Sequence, residues 1–292
     1  MKAQKKLVHF ADEIFKAYCV TNFDTDGDGE ISLDEALKIR VLHCEEMHIK
    51  SLKGIEHFTN LMALYCNDNE IKTLDLSQNK RLEKVYCELN EMTRLITGDN
   101  PRLRILDCMT NKIKALDVRL NTGLRHLNCT GNKLSVLDVS KNTLLKELFC
   151  GANLLRTLDV SQNTELETLM FYVNDLSDID LSHNLQLQNL DCSMNHLSAV
   201  DVSANKKLGY LCCTNNSIKE LDVSQNRLLH KLECYGNNLS TLNLRNNHYL
   251  ESLSCGANKW DYIDLSSNLS LAELVVLQEQ IDLFDNGPIA SA

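Results

Sequence analysis

Several features that would mark common protein classes are missing from this sequence. No block of lysine and arginine occurs and the formal net charge is -10, so no nucleic-acid partner is predicted. No apolar run approaches the roughly 18 residues of a membrane helix, so no membrane span is predicted. The first residues, MKAQKKLVHFADEIF, lack the apolar segment of a signal peptide, and none is predicted at this N-terminus.

Catalytic patterns are also absent. The nine histidines are scattered, and no Ser-His-Asp or phosphate-loop constellation is visible. The sequence therefore predicts that the chain is not an enzyme. An enzyme with an unrecognised site is the least favoured of three interpretations of function.

Nine of the twelve cysteines follow a fixed spacing, which is not typical of disulfide frameworks. Cysteine recurs every 21 residues from Cys66 to Cys150, Phe171 takes the next slot, and the series resumes from Cys192 to Cys255. We predict reduced, buried cysteines that fill the narrow part of a repeat. A metal or redox row of thiols is the alternative. Cys212 lies outside the series, and alternation along its strand makes it the best candidate for an accessible thiol.

Two asparagine series share this period, one from Asn69 to Asn258 and one from Asn79 to Asn268. Each repeat reads LxxLxCxxNxLxxLDVSxNxx, and each of its halves begins with the alternating apolar pattern of a strand. Each half then bends at an asparagine, which tolerates left-handed backbone and bonds neighbouring backbone groups. A period of this length is typical of a solenoid, in which identical side chains stack from coil to coil.

These repeats resemble the leucine-rich repeat family, whose pattern is LxxLxLxxN/CxL, and the nested form with Cys and LDL/LDV resembles the bacterial IRREKO variant. The first coil, VLHCEEMHIKSLKGIEHFTNL, is one residue longer and has a Gly-Ile step like the repeats of internalin-type proteins. The resemblance implies a right-handed, mostly β solenoid with a parallel sheet, of about eleven coils over 42–276. Because no repeat has room for an outer helix, we expect weak curvature and short β segments opposite the sheet. Residues 277–292 are predicted to be a tail or cap, where Glu279 replaces the repeat asparagine.

Residues 1–41 are predicted to form a helical cap, with helices over Leu7 to Val20 and Leu33 to Val41. Between them lies DTDGDGEISLDE, which resembles the EF-hand loop D-x-D-x-D-G-x₅-E. The resemblance implies Ca²⁺ held by the side chains of Asp24, Asp26, Asp28 and Glu35, by the Glu30 carbonyl, and through water by Ser32. A solenoid needs its open end covered, so a structural Ca²⁺ is favoured over a regulatory one. An acidic turn without metal is the third alternative.

An aspartate recurs on the second face of the repeat, from Asp117 to Asp222. We predict that each carboxylate accepts a hydrogen bond from a backbone N–H of its own turn. A cation-binding stripe is the alternative.

Alternation sends three residues per coil outward on the sheet face, and aromatic side chains gather there. We predict a partner-binding patch, because tyrosine and other aromatic residues are favoured at interfaces. Its members are Phe149, Met170, Tyr172, Tyr210 and Tyr235. The alternative is that these side chains only cover the sheet.

The favoured function is a monomeric, non-enzymatic module that binds a protein partner on its sheet face. The second interpretation is a structural or adhesive protein of a bacterial cell envelope, or a fragment of a larger surface protein. A single Ca²⁺ loop favours a secreted or envelope location, whereas free thiols are compatible with the cytoplasm.

Overall fold

The computed structural model describes residues 5–275, which divide between two compact units, unit 1 (1–145) and unit 2 (146–292). Each unit is built from coils that contribute three-residue strands to a parallel sheet. No helix among the described residues is long and apolar enough to cross a bilayer. The predicted C-terminal segment 277–292 and Val276 lie outside the described residues.

The larger sheet of unit 1 has the order β1-β2-β4-β6-β7, and β3 pairs with β5 in a two-stranded parallel sheet. These strands are β1 (Val41–His43), β2 (Ala63–Tyr65), β3 (Thr73–Asp75), β4 (Lys84–Tyr86), β5 (Arg94–Ile96), β6 (Ile105–Asp107) and β7 (His126–Asn128). The pair β3–β5 provides the short β segments that the sequence predicts opposite the main sheet.

In unit 2 the strands follow one another in chain order from β8 to β14, and all neighbours are parallel. They are β8 (Glu147–Phe149), β9 (Thr168–Met170), β10 (Asn189–Asp191), β11 (Tyr210–Cys212), β12 (Lys231–Glu233), β13 (Ser252–Ser254) and β14 (Glu273–Val275). The register advances by one repeat from strand to strand, for example Leu190 opposite Leu211. Identical repeat positions therefore form columns along the sheet.

The cysteine column lies inside this leucine core. All twelve cysteines are free thiols, and those of the 21-residue series are buried, as predicted. Burial raises the pKa of Cys44 and of Cys255 to about 12, because a thiolate would lack solvation there. Phe171 occupies a cysteine slot and is also fully buried, so this slot accepts an apolar side chain without a thiol.

The first asparagine series closes the bend that follows each main strand. The Asn90 amide donates to the Cys66 and Cys87 carbonyls at 3.0 and 3.2 Å, and its Oδ1 accepts the Ile71 N–H at 3.0 Å. The sequence analysis put the left-handed residue at this asparagine, but it is the preceding one, such as Leu89 with φ 54°. The asparagine is needed for its amide, which satisfies backbone groups that the bend leaves unpaired.

The second asparagine series is buried and acts mainly as a donor. The Asn205 amide donates to the carbonyls of Leu181 and Asn184 at 3.1 and 2.9 Å. The asparagines of both series therefore link each coil to the one before it.

The N-terminal helices differ in length from the prediction. α1 is Glu13–Phe23, because Leu7 instead pairs antiparallel with Ser32, and Asp12 caps the helix through the N–H groups of Ile14 and Phe15. α2 is only Leu33–Ala36, whereas Val41 already belongs to β1. A 3₁₀ turn, Ile55–His57, lies in the first coil.

Aromatic rings join the N-terminal segment to the first coil. Phe10, Phe15 and Phe58 have ring centroids 5.3 to 6.4 Å apart, and all three are buried. Tyr18 Oη accepts the N–H of His43 at 3.1 Å. α1 thus packs on the coil at the start of the repeats.

Candidate functional site

The acidic loop of unit 1 runs from Asp24, just after α1, to Glu35 in α2. Two backbone hydrogen bonds hold residues 6–8 beside it: the Val8 N–H donates to Ile31 O at 2.8 Å, and the Leu33 N–H donates to Lys6 O at 2.9 Å. Ile31 is fully buried, which anchors the middle of the loop to the core. The loop is therefore held at both ends by α1 and α2 and along its second half by residues 6–8.

Asp24 organises the turn of this loop. Its carboxylate accepts the N–H groups of Gly27 and Gly29 at 2.7 and 2.8 Å. These bonds, that of Gly29 first, lower the pKa of Asp24. Gly29 has φ +80°, a conformation that L side chains rarely adopt, so glycine suits this position. Asp24, Asp26 and Asp28 each offer a carboxylate oxygen within 4.8 Å of the other two.

Glu35 is buried and firmly held. Its carboxylate accepts the hydroxyl and N–H of Ser32 at 2.7 and 2.9 Å, and the N–H and hydroxyl of Thr25 at 2.8 Å each. The Ser32 bonds contribute most to lowering the pKa of Glu35, which is ionised at neutral pH. Ser32 in turn caps α2 through the Glu35 N–H.

A positive charge lies among these carboxylates. Lys5 Nζ is 2.8 Å from Asp26 Oδ2, 2.5 Å from Asp28 Oδ2 and 3.7 Å from Glu35 Oε2. Hydrogen bonds to Asp26 and Asp28 raise the pKa of Lys5. The Glu30 side chain turns away to Lys16, 2.7 Å from its Nζ. The sequence analysis did not find Lys5, because its position depends on the Leu7–Ser32 bridge.

The predicted partner residues lie on the outward face of the sheet in unit 2. Phe149 and Met170 are register neighbours, and both are half-buried. The half-buried Tyr172 lies over Gly151, with ring atoms 2.8 Å from where a Cβ of Gly151 would be. The structure therefore brings these three predicted side chains together.

Tyr210 belongs to a different, polar group. Its Oη donates to Glu233 Oε2 at 2.9 Å, and Lys231 Nζ lies 5.5 Å from its ring centroid and 2.9 Å from Glu233 Oε1. Met170 in β9 is paired with Asp191 in β10, and β10 lies between β9 and β11, the strand that begins with Tyr210. Tyr235 follows Glu233 by two residues, on the far side of Asp191 as well. The predicted patch thus consists of two groups and is not one continuous aromatic surface.

The expectation that Cys212 is accessible is wrong. Its side chain points outward but is only 5% exposed. The longer side chains of its register neighbours, Asp191 and Glu233, flank it on both sides. Burial raises the pKa of Cys212 to about 11.

The aspartate row behaves as the first interpretation predicts. Asp180, Asp201 and Asp222 accept the N–H of the residue two positions later, at 2.9, 2.9 and 2.8 Å. These bonds stabilise the turns. Hydrogen bonds from the hydroxyl and then the N–H of the same serine lower the pKa of Asp180 and Asp201, and the pKa of Asp222 is lowered first by the N–H and then by the hydroxyl. The row therefore has a structural explanation.

A solved structure with a closely similar fold is a functional domain of InlJ from Listeria monocytogenes that includes a cysteine ladder. It is 34% identical to this chain with a TM-score of 0.89, and the match covers 94% of this chain and 62% of that domain. The fold is that of the leucine-rich repeat proteins. No protein-family model matches the chain.

More distant structures share the fold. An internalin, InlF, from Listeria monocytogenes is 20% identical over the whole of both chains, with a TM-score of 0.70. The Arabidopsis receptor kinase HAESA, solved with the peptide hormone IDA and the co-receptor SERK1, is 20% identical with a TM-score of 0.67. That match covers 82% of this chain and 46% of HAESA.

A curated relative points to the same group of bacterial proteins. Internalin J of Listeria monocytogenes serotype 4b (strain F2365) is 36% identical over 70 residues, which are 24% of this chain and 8% of that protein. The chain thus spans less than two thirds of the InlJ domain and a small part of the curated relative. These similarities support a bacterial leucine-rich repeat protein.

Proposed function

We propose that this chain is a non-enzymatic module that binds a protein partner on the outward sheet face of unit 2. The observation that carries the proposal is the contiguous group of Phe149, Met170 and Tyr172 on this face, outside the leucine core. Large apolar and aromatic side chains on a preformed surface are typical of interface centres. The peptide-hormone complex of the similar HAESA ectodomain supports a binding role for such a solenoid.

Site-specific photocrosslinking tests the proposed face. A benzoylphenylalanine at Tyr172 should crosslink the partner from extracts, whereas one at Asp201 on the other face should not. Alanine at Tyr172 or Phe149 should then weaken binding of the identified partner by more than about 1 kcal/mol. Equal losses from Asp201→Ala and Asp222→Ala, with none from the tyrosine and phenylalanine variants, would place the partner on the aspartate side.

We propose that the loop of unit 1 binds a structural Ca²⁺ that stabilises the N-terminal cap. Asp24, Asp26, Asp28 and Glu35 offer the carboxylate oxygens that this hard cation prefers, with Glu30 supplying its carbonyl. The ammonium of Lys5 at 2.5 to 3.7 Å from three of these carboxylates supports a site that attracts cations. Ca²⁺ would neutralise the mutual repulsion of the carboxylates and join α1 to α2.

Thermal unfolding tests the Ca²⁺ proposal. Ca²⁺ at a hundredfold excess over its Kd should stabilise the native state by about 2.7 kcal/mol, and EGTA should reverse this. Asp26→Asn should abolish the response, whereas Asp34→Asn removes a nearby exposed charge and should retain it. A melting temperature that EGTA leaves unchanged in the parent protein would contradict the proposal.

We further propose that the protein is a monomer. We also propose that it lies outside the cell or in the cell envelope, because the similar proteins of Listeria are internalins. Sedimentation equilibrium tests the oligomeric state. Immunodetection in the medium and cell-wall fractions of the source bacterium tests the location, and a purely cytosolic signal would contradict it.

A further inference from the structure

A stack of aromatic rings stands on the outward sheet face of unit 1. The His43 and Tyr65 rings are 4.4 Å apart with an interplanar angle of 8°, and the Tyr65 and Tyr86 rings are 5.1 Å apart at 7°. The register of β1, β2 and β4 places the three side chains in one column. The rings hold one another in place, so this surface is organised before any ligand arrives.

The column ends at Tyr86. Its next register neighbour is Asp107 in β6, which has a carboxylate where the preceding coils have rings. A planar group placed on the outer face of Tyr86 would therefore continue the stack and meet the Asp107 carboxylate. Asp107 already accepts the N–H of Met109 and the amide of Asn128, which fix its orientation.

Further negative charge surrounds this position. Glu88, two residues after Tyr86, has a buried Oε2 with no hydrogen-bond partner among the described residues. Burial, with added repulsion from Asp107 and Glu45, raises the pKa of Glu88. Within residues 5–275, no lysine or arginine forms an ion pair with Glu88 or Asp107, although the exposed Lys84 begins the same strand. Buried carboxylate oxygens normally accept a hydrogen bond, so the Glu88 Oε2 can still take a donor.

The chain itself shows which group suits a face tyrosine beside a face glutamate. In unit 2, Lys231 lies over the Tyr210 ring and pairs with Glu233. A cation over a tyrosine ring gains electrostatic energy from the ring face, and a neighbouring carboxylate adds to it. In unit 1 the ring and the carboxylates are present and the cation is not supplied by the described chain.

We propose that the surface formed by Tyr86, Glu88 and Asp107, backed by Tyr65 and His43, binds an arginine side chain of a protein partner. The flat guanidinium stacks on the outer face of Tyr86 and donates hydrogen bonds to the Glu88 and Asp107 carboxylates. Arginine fits better than lysine, because its planar group both stacks and donates in two directions. This surface is independent of the one proposed in unit 2.

The test uses the full chain and two short peptides. Acetyl-Gly-Arg-Gly-Arg-Gly-amide is the probe, and the same peptide with citrulline is its neutral analogue of nearly equal shape. NMR of ring-labelled tyrosine should show saturable shifts at Tyr86 and Tyr65 with the arginine peptide. The citrulline peptide should shift them at least about fivefold more weakly at equal concentration. Equal shifts with both peptides, or shifts confined to other tyrosines, would overturn the proposal.

Matched variants separate this surface from general attraction to an acidic protein. Tyr86→Leu and Glu88→Gln should each weaken arginine-peptide binding about fivefold. Tyr249→Leu and Glu220→Gln remove an exposed tyrosine and an exposed charge in unit 2 and should leave it unchanged. If Glu88→Gln impairs folding by circular dichroism, Asp107→Asn provides the same test. The same affinity in all folded variants would overturn the proposal, whatever the outcome of crosslinking at Tyr172.

Discussion

The ring of Tyr172 lies over Gly151, the residue at the equivalent repeat position one coil earlier. A Cβ on Gly151 would come within 2.8 Å of Cε1 and Cζ of that ring, which is closer than van der Waals contact allows. Gly151 has no positive φ, so its backbone accepts an L side chain. The missing side chain at 151 thus sets the height of Tyr172 above the sheet.

We expect Gly151→Ala to displace the Tyr172 ring while the fold persists. Because the ring is the free end of a flexible side chain, the cost in unfolding free energy should stay below about 1 kcal/mol. Binding of the partner identified by crosslinking should weaken about fivefold, since the ring no longer meets it in the same place. Titration of the purified partner measures this. Ser193→Ala, a small change in the same column, is the control, and equal affinity of all three proteins would contradict the prediction.

The Lys5 ammonium occupies the neighbourhood in which the acidic loop would hold Ca²⁺, so the two cations compete. We expect Lys5→Gln to raise Ca²⁺ affinity about threefold, because the metal no longer displaces an ion pair from Asp26 and Asp28. The apoprotein should melt at a lower temperature, because the carboxylates lose their counter-charge. Calorimetric titration measures the affinity, and Lys6→Gln is the neighbouring control. Unchanged or weaker Ca²⁺ binding by Lys5→Gln would show that Lys5 does not compete.

The repeat period predicts most of the fold, because one repeat corresponds to one coil and fixes the register. The buried cysteines, the asparagine series and the turn bonds of the aspartate row all follow from it. Features that depend on contacts outside the period were missed. Lys5 reaches the loop through a bridge between Leu7 and Ser32. Cys212 is covered by the longer side chains of its register neighbours, Asp191 and Glu233.

The patch on the sheet face illustrates the same limit. The repeat spacing identifies the outward residues, including Tyr65 and Tyr86, but it does not predict which of the outward rings contact one another. His43 belongs to the stack because the first coil, although one residue longer, still pairs in register with β2. Tyr210 does not belong to the aromatic group, because it contacts Glu233 and Lys231 instead.

The two adjacent asparagines Asn246 and Asn247 offer a direct test of the buried series. Asn247 is fully buried and donates to the carbonyls of Val223 and Asn226 at 3.1 and 2.9 Å. Asn246 is exposed and donates to Ser224 O at 3.1 Å. Chemical denaturation should show a loss of roughly 2–3 kcal/mol for Asn247→Ala, which leaves two buried carbonyls unpaired, and under about 0.5 kcal/mol for Asn246→Ala.

Asn247→Asp sharpens this test. Within residues 5–275 the Asn247 Oδ1 has no hydrogen-bond partner, so the side chain acts through its donor. An aspartate would set a buried carboxylate against the two carbonyls and should destabilise more than alanine does. Equal losses for the aspartate and alanine variants would mean that the side chain acts by packing alone.

The buried cysteine column should make stability steeply dependent on alkaline pH. In the unfolded chain a thiol ionises near its ordinary pKa of 9.0, whereas burial raises the pKa of Cys255 in the folded chain to about 12. Between these values the native state retains a proton that the unfolded state has lost, so stability is full below about pH 9 and falls as pH rises toward 12. The slope is about 1.4 kcal/mol per pH unit for each such thiol.

Urea unfolding of the parent protein and of Cys255→Ala, compared at several pH values from 8 to 11, isolates this contribution. The alanine variant should be less stable at pH 8, because the substitution leaves a small cavity. Above pH 9 the slopes of the two stability curves should differ by about 1.4 kcal/mol per pH unit, with the alanine variant falling less steeply. Ionisation of lysine and tyrosine affects both proteins alike and cancels in the difference. Maleimide titration after unfolding should count all twelve thiols. Parallel pH curves for the two proteins would mean that the Cys255 thiol ionises as readily in the core as in water, which its complete burial makes unfavourable.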